Sequence, residues 1–537
     1  MVAGPAPTQT SGMTSRRVPA LIGVASVAAA LGVAELVAIV TGPLTSPGIA
    51  VGGAIIDLVP ESLKHFAISL FGTYDKLALQ IGTLILLVLA GVGLGFLARR
   101  HLNLALSLVA AFALLGLVAA VTRYDAGWTA VFPSVLAGVA GALVLRTLTQ
   151  AAAAQDPDDL AVVSLPKEDE NGANGRAQLQ DQRGGAGRRD VLRWAGGIAV
   201  VGGLAGFGGR WLSLRRSVSA DRAGVVLPAP ASPAPALPAS VDAEVPGVAR
   251  FVTSNRSFYR IDTAIVVPQV APDEWTLKVH GRVRNPLTIT FDQLLARPMI
   301  ERYITLACVS NEVGGGLISN ARWLGVRIGD ILAEADPESG ADQVVSRSVD
   351  GFTAGTPTEV LRDGRDAILA VGMNGEPLPI EHGFPVRMVV PGLYGYVSAT
   401  KWLAELELTT FADFDAYWIR RGWSAKAPIK LQSRIDTPTR RASAGSVVVG
   451  GVAWAQHVGV SAVELRVDDG GWQPARLYDV PSTDTWCQWT VTWDATPGKH
   501  TLTVRAVDAA GRPQDETDRP VLPDGATGLH TVEVQVS

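Results

Sequence analysis

Residues 303–316 read Tyr303-Ile304-Thr305-Leu306-Ala307-Cys308-Val309-Ser310-Asn311-Glu312-Val313-Gly314-Gly315-Gly316. A short apolar run bounded by turn-forming residues is the pattern of a buried strand. The stretch therefore predicts a strand that delivers a thiol into a glycine-rich loop. A lone buried cysteine often acts only as a small hydrophobe. A thiolate at a strand end among glycines can instead ligate a soft metal or attack a substrate. The surrounding sequence decides between these. Short apolar strands at 274–283 and 287–291 alternate with Gly/Pro/Asp turns, and helical stretches at 291–297 and 328–335 lie between strands. This pattern predicts an α+β domain over 249–425.

Toward the C-terminus the period changes. Val463, Leu465 and Val467 alternate with polar residues, as do Leu502 and Val504, then Val532, Val534 and Val536. Turn signals at 468–471, 496–499 and 508–511 separate these runs, which predicts an immunoglobulin-like β-sandwich over 426–537. Cys487, within Trp486-Cys487-Gln488-Trp489, is expected to pack in that sandwich. Trp454, Trp472, Trp486, Trp489 and Trp493 are expected in its core or at a dimer interface.

Toward the N-terminus the chain is of another kind. Spans at 18–41, 77–98, 102–122 and 126–145 have the roughly 20 apolar residues that a bilayer crossing needs, and together they predict a four-helix transmembrane domain over 16–149. Arg16, Arg17, Arg99, Arg100 and His101 flank these spans and place their ends in the cytoplasm by the positive-inside rule. The 42–76 loop then falls on the outer surface. Glu35 is the one charged residue inside a span, which marks either an intramembrane functional carboxyl or a paired one near a helix end. A polar, Gly-rich stretch at 150–187 predicts a disordered cytoplasmic linker. Arg188-Arg189, with Val191-Leu192 two residues on and an uncharged run at 194–209, resembles a twin-arginine export signal, so 188–213 is read as a twin-arginine-like fifth membrane segment. That pathway carries folded proteins and implies a cofactor loaded before export. A Pro/Ala-rich tether at 214–248 follows, expected to be extended and to space the next domain from the membrane.

Composition excludes several classes. The 537 residues hold only two cysteines, too few for a disulfide framework, a four-cysteine zinc site or a cysteine-ligated iron–sulfur cluster. No histidine lies inside the predicted spans, so no haem is expected between them. The net charge of −4 argues against a nucleic-acid partner. A mean hydropathy of +0.24, concentrated in the N-terminal third, points to a membrane protein with a large water-soluble part.

Several segments, in order, resemble the sulfite oxidase family of molybdopterin enzymes. They are Leu306-Ala307-Cys308-Val309-Ser310-Asn311, Trp323-Leu324-Gly325-Val326, 373–379, His382-Gly383-Phe384-Pro385-Val386-Arg387, Val390-Pro391-Gly392 and Lys401-Trp402. The similarity continues through 450–454, 463–472 and 505–508 in a region like the family's dimerisation domain, and covers roughly 249–537. The resemblance implies that Cys308 is the protein's thiolate ligand to molybdenum in a molybdenum–molybdopterin cofactor, one per chain. It also implies that His382, Arg387 and Lys401 hold the pterin and its phosphate, and that Ala399 and Thr400 add backbone contacts. Asn255 and Tyr259 match the family's N-terminal pterin contact, and Ser348 is a further candidate. The sequence departs from animal and plant sulfite oxidases at Glu312-Val313 and Ser254, where those enzymes carry cationic residues. It also has Phe352 near the position of the family's active-site tyrosine.

The leading expectation is therefore a multi-pass protein of the bacterial plasma membrane with its catalytic domain on the extracytoplasmic side. It would transfer oxygen atoms to a small sulfur-containing substrate, a sulfur oxyanion such as sulfite, and pass electrons to a quinone, a cytochrome or a membrane partner. The alternatives are an S-oxide reductase acting on exported proteins and a catalytically silent surface module. Expected partners include the twin-arginine export machinery and a second copy through the C-terminal domain.

Overall fold

The computed structural model describes residues 11–42, 45–59, 75–122, 127–154, 188–215, 218–264 and 266–537. Contacts divide the chain into two units, residues 1–216 and 217–537.

The first unit is built from long apolar helices: α1 (Ser11–Thr41), α2 (Pro47–Leu58), α3 (Asp75–Arg100), α4 (Leu102–Val121), α5 (Val131–Ala153) and α6 (Arg188–Arg215). Five stretches, Arg17–Thr41, Ile81–Arg100, Leu102–Val121, Trp128–Ala153 and Asp190–Gly209, are long and apolar enough to cross a membrane. Their outward faces expose large apolar side chains such as Leu86, Leu114 and Phe207. Small residues let the helices approach closely: a Cβ on Gly202 of α6 would lie 2.6 Å from the carbonyl carbon of Ala28 in α1. Glu35 is paired, because Ser46 Oγ donates to its Oε1 at 2.6 Å.

Three expectations change here. The 42–76 region is not simply a surface loop, since α2 lies within it. Buried Ala50 of α2 packs with Ala119 and Ala120 of α4. Residues 150–153 continue α5 rather than opening a linker, and the remainder of the expected linker, 155–187, lies outside the described residues. Residues 218–248 are not a free spacer. After the short helix α7 (Ser219–Gly224), the Ala231 amide donates to the Met299 carbonyl (2.8 Å) and the Glu301 amide donates to the Ser232 carbonyl (2.9 Å). Prolines lack an N–H but are tolerated along a strand edge, so the segment docks instead of dangling.

In the second unit, one sheet runs in the order β2 (Leu287–Thr290), β1 (Thr276–Gly281), β10 (Leu403–Thr409), β5 (Gln343–Ser348), β6 (Thr353–Pro357). Here β1 and β10 are parallel and the other pairs antiparallel. A second sheet orders β3 (Ile300–Ala307), β4 (Ile318–Arg327), β7 (Ile368–Met373) and β8 (Glu376–Pro377), with β9 (Arg387–Val389) also on β7. The last four residues of β3 are all buried, as the unbroken run Ile304-Thr305-Leu306-Ala307 predicted. Helix α8 (Phe291–Leu295) starts at a capping box between Thr290 and Gln293. Helix α9 (Ile328–Ala335) buries Ile328, Ile331 and Leu332 on one face.

The C-terminal region is sheet-rich, as expected. One sheet orders β11 (Gln432–Thr437), β13 (Gly445–Trp454), β17 (Cys487–Ala495), β16 (Arg476–Leu477). The other orders β12 (Arg441–Ala442), β19 (His530–Val536), β18 (Gly498–Asp508), β14 (Val460–Val467), β15 (Gln473–Pro474). Val449, Trp489 and Val491 of the first meet Leu465, Leu502, Val504 and Val534 of the second in a shared core, with Cys487 among them. Trp454 and Trp486 instead join the core of the α+β region, and the Trp486 indole donates to the Phe251 carbonyl at 2.9 Å. Trp472 lies between the guanidinium groups of Arg466 and Arg505.

Candidate functional site

Strand β3 ends at Ala307 and hands Cys308 to a tight loop. The Cys308 amide donates to the Leu317 carbonyl (2.9 Å), and the Asn311 amide donates back to the Cys308 carbonyl (3.1 Å). Asn311 Oδ1 accepts from the Leu317 amide at 2.7 Å. These bonds explain why an asparagine and glycines follow the cysteine: the loop must close on itself within ten residues. Burial pushes the Cys308 thiol up, while the Ser310 backbone and side chain hydrogen-bond it and pull the other way. A thiolate there has fixed donors waiting for it.

Cys308 lines a partly open cleft. Tyr259, Ser348, His382, Arg387, Ala399 and Lys401 also line this cleft, so seven of the nine site residues named from sequence converge. Arg387 projects from β9, where it pairs with Ala370 of β7. It is 5% exposed, and its guanidinium donates to the carbonyls of His382 (3.1 Å), Ala399 (3.4 Å) and Met388 (3.4 Å). No carboxylate pairs with it among the described residues, and burial pulls its pKa down to about 10. Lys401 is equally buried but paired: Nζ lies 2.7 Å from Asp262 Oδ2 and 3.2 Å from the Glu381 carbonyl. Burial lowers its pKa to about 8 against the pull of Asp262. His382 Nε2 donates to the Asn255 carbonyl at 3.0 Å. Burial, with Arg387 nearby, pulls its pKa down to about 4, which keeps the ring neutral near pH 7 and leaves Nδ1 as an acceptor. The Tyr259 hydroxyl, pushed far up by burial, is a neutral phenol.

Asn255 and Thr400 stand differently. The Asn255 amide group is engaged by Met373, Asn374 and Glu376, so only its carbonyl serves the site, through His382. Its side chain borders a neighbouring cavity that shares Phe258 and His382 with the first and is lined by Arg222, Arg256 and Arg260. The Thr400 hydroxyl turns inward to Ser346 Oγ at 2.7 Å, and its carbonyl accepts from the Met388 amide. Thr400 therefore shapes the wall without facing the cleft.

Sequence reasoning missed several lining residues. Asp262, the partner of Lys401, sits in no motif. Tyr396, Trp418 and Trp423 form one wall, in an aromatic chain that runs from Phe352 through Tyr417 (5.7 Å), Trp418 (5.1 Å) and Trp423 (6.2 Å) to Tyr396 (5.8 Å). The available signal was three aromatics at 417, 418 and 423 in a chain with only 6% aromatic residues. Among the described residues, the buried Trp423 indole N–H has no hydrogen-bond partner.

Residues 264–418 match the model of the oxidoreductase molybdopterin binding domain. The uncharacterized oxidoreductase YuiH of Bacillus subtilis is 35% identical over 150 residues, 28% of this chain and 72% of that one. Human mitochondrial sulfite oxidase is 29% identical over 325 residues, 50% of this chain and 58% of that one. The chain belongs to the sulfite oxidase family of molybdopterin-dependent oxidoreductases. It spans about half the length of the mammalian sulfite oxidases it matches. The sulfane dehydrogenase SoxCD from Paracoccus pantotrophus is 23% identical, with a TM-score of 0.48 over 54% of this chain and 82% of that one.

The residues of this oxidoreductase fit a molybdopterin. A buried guanidinium with carbonyl partners and no carboxylate is a site that lacks an anion, and a phosphate-bearing pterin supplies one. Among the described residues no cluster of His, Cys, Asp or Glu stands ready to hold a metal. Cys308 is the residue that would hold the molybdenum of such a cofactor, and the group would supply two-electron oxygen-atom exchange there. If such a group is bound, Ser310 would hold the thiolate, His382 and Tyr259 would be placed to meet pterin edges, and Arg387 and Lys401 would supply cationic charge.

Proposed function

We propose that this chain is a membrane-anchored molybdenum oxidoreductase that transfers an oxygen atom to or from sulfur. The observation that carries the reading is the convergence of Cys308 and the carboxylate-free Arg387 on one cleft. In the oxidising direction a sulfur oxyanion such as sulfite gains an oxygen from water. Two protons and two electrons are released, the electrons passing to a quinone, a cytochrome or a membrane partner. The names of the curated relatives, sulfite oxidases, favour this direction.

A second reading is favoured by the aromatic wall. Among the described residues, the cationic side chains lining the cleft are Arg387 and Lys401, both assigned to the cofactor, and Phe352 stands in the wall. An oxyanion needs preorganised cationic donors of its own. An organic S-oxide needs apolar surface for its substituents, which Tyr396, Trp418 and Trp423 offer, and only one donor for its oxygen. Its reduction would consume two protons and two electrons and release water and the thioether.

The five apolar helices support anchoring in a bacterial plasma membrane. Arg188-Arg189 supports export of the folded, loaded domain through the twin-arginine machinery to the extracytoplasmic side. The two-sheet C-terminal region is read as an immunoglobulin-like domain that pairs two copies.

The test uses the purified, cofactor-loaded chain. Sulfite is assayed with an oxidised cytochrome as acceptor, and methionine sulfoxide with a reduced viologen as donor. The reading predicts turnover of one of them, lost in Cys308→Ser. Turnover of neither, or turnover undiminished in Cys308→Ser, overturns it.

A further inference from the structure

The loop that carries Cys308 is held from outside its own sheet. Its far side, Val313-Gly314-Gly315, lies under two residues of the C-terminal sandwich. Arg434 of β11 donates from Nη1 to the Gly315 carbonyl at 2.8 Å, and its Nε is fixed by Asp436 at 2.6 Å. Asp436 is itself fixed by the Ala249 amide (2.9 Å). His530, at the start of β19, accepts the Ile435 amide on Nδ1 (2.9 Å), and its ring covers Gly314. A Cβ on Gly314 would lie 2.2 Å from His530 Cδ2, and Gly314 has φ +76°. Upstream of the cysteine, Thr305 of β3 is also gripped by the sandwich. Its amide donates to the Asp484 carbonyl (3.0 Å), its carbonyl accepts from Gln456 Nε2 (3.2 Å) and its hydroxyl accepts from the Trp486 amide (2.8 Å).

We infer that the C-terminal sandwich positions Cys308, with Arg434 and His530 as positioning residues that fix the loop on which the sulfur stands. The arrangement follows from elementary needs. A loop with three consecutive glycines has high backbone freedom, whereas a metal ligand must be held within about half an ångström of its working geometry. A half-buried guanidinium on a loop carbonyl and a ring resting on a Cβ-free position remove that freedom without placing either side chain in the cleft. The inference rests on the proposed role of Cys308 only for its chemical consequence; the mechanical claim concerns the chain alone.

The mechanical claim is tested on the full chain made without cofactor. Alkylation of Cys308 by iodoacetamide is followed by mass spectrometry of its peptide, with buried Cys487 as an internal reference for global opening. Loss of a charged hydrogen bond of this kind releases the loop by enough for roughly a tenfold rate change. Arg434→Gln is therefore expected to speed Cys308 alkylation about tenfold while Cys487 is unchanged, and Arg434→Lys to recover part of the protection. His530→Ala, which uncovers Gly314, is expected to act like Arg434→Gln. An unchanged Cys308 rate, or Cys308 and Cys487 accelerating together in both single variants, overturns the inference. On the loaded chain, Arg434→Gln is expected to retain molybdenum but shift its Mo(V) electron paramagnetic resonance signal. An unshifted signal with faster alkylation in the cofactor-free chain would contradict Cys308 as metal ligand and leave the mechanical claim standing.

Discussion

Lys401 Nζ lies 2.7 Å from Asp262 Oδ2, with only 8% and 5% of the two side chains exposed. Such a pair is held by its mutual attraction and collapses energetically when one member is removed, because the other is left charged and buried. Asp262→Asn is therefore expected to destabilise the cofactor-free chain by about 3–5 kcal/mol. The double variant Asp262→Asn with Lys401→Met should lose clearly less. Denaturant unfolding in detergent, followed by tryptophan fluorescence, measures both.

Arg387 presents the opposite case, a buried charge with no counter-charge among the described residues. Arg387→Met removes that desolvated cation and is expected to leave the cofactor-free chain as stable as the original or more so. The same variant should lose at least about tenfold in molybdopterin retention, since a charge-assisted hydrogen bond to an anion is worth about 1.5–3 kcal/mol. Thermal melting and pterin fluorescence after acid release read the two effects separately.

His382 sets a pH dependence whose sign follows from burial. Its pKa is pulled down to about 4 in the fold against an unfolded value near 6.5, so the unfolded chain binds the extra proton between those values. The stability that the neutral ring permits is fully present above about pH 6.5 and is lost progressively as the pH falls toward about 4. The melting temperature of the cofactor-free chain should decline across that window, and His382→Gln should flatten the decline.

In the first unit, Gly202 of α6 lies where a side chain would meet Ala28 of α1. Gly202→Val is expected to separate these helices in detergent. Helix association measured by cysteine crosslinking between α1 and α6 should fall, while molybdenum content of the second unit stays unchanged.

The strand carrying Cys308 was legible because a buried run needs no partner to declare itself. Its four final residues are apolar or, in Thr305, able to bond inward. Helices at 291–297 and 328–335 were legible for the same local reasons: a cap at Thr290 and a one-sided apolar face at 328–335. The cleft-lining positions Arg387, His382 and Lys401 came from resemblance, since an isolated arginine or lysine looks the same on a surface as in a core. Asp262 was invisible because its role depends on Lys401, 139 positions away. The docking of 218–248 was missed because proline-rich composition suggests an extended chain without saying whether a sheet edge awaits it. Trp454 and Trp486 were placed in the sandwich because alternation shows which residues face inward but not which core receives them.

The central claim is that Cys308 and the cleft around it hold one molybdenum–molybdopterin. Elemental analysis of the purified chain, made in cells able to synthesise the cofactor, tests it most directly beside Cys308→Ala. The account predicts close to one molybdenum per chain, with the metal lost or its spectrum altered in Cys308→Ala. A chain that carries no molybdenum, or an unchanged metal spectrum in Cys308→Ala, would contradict it.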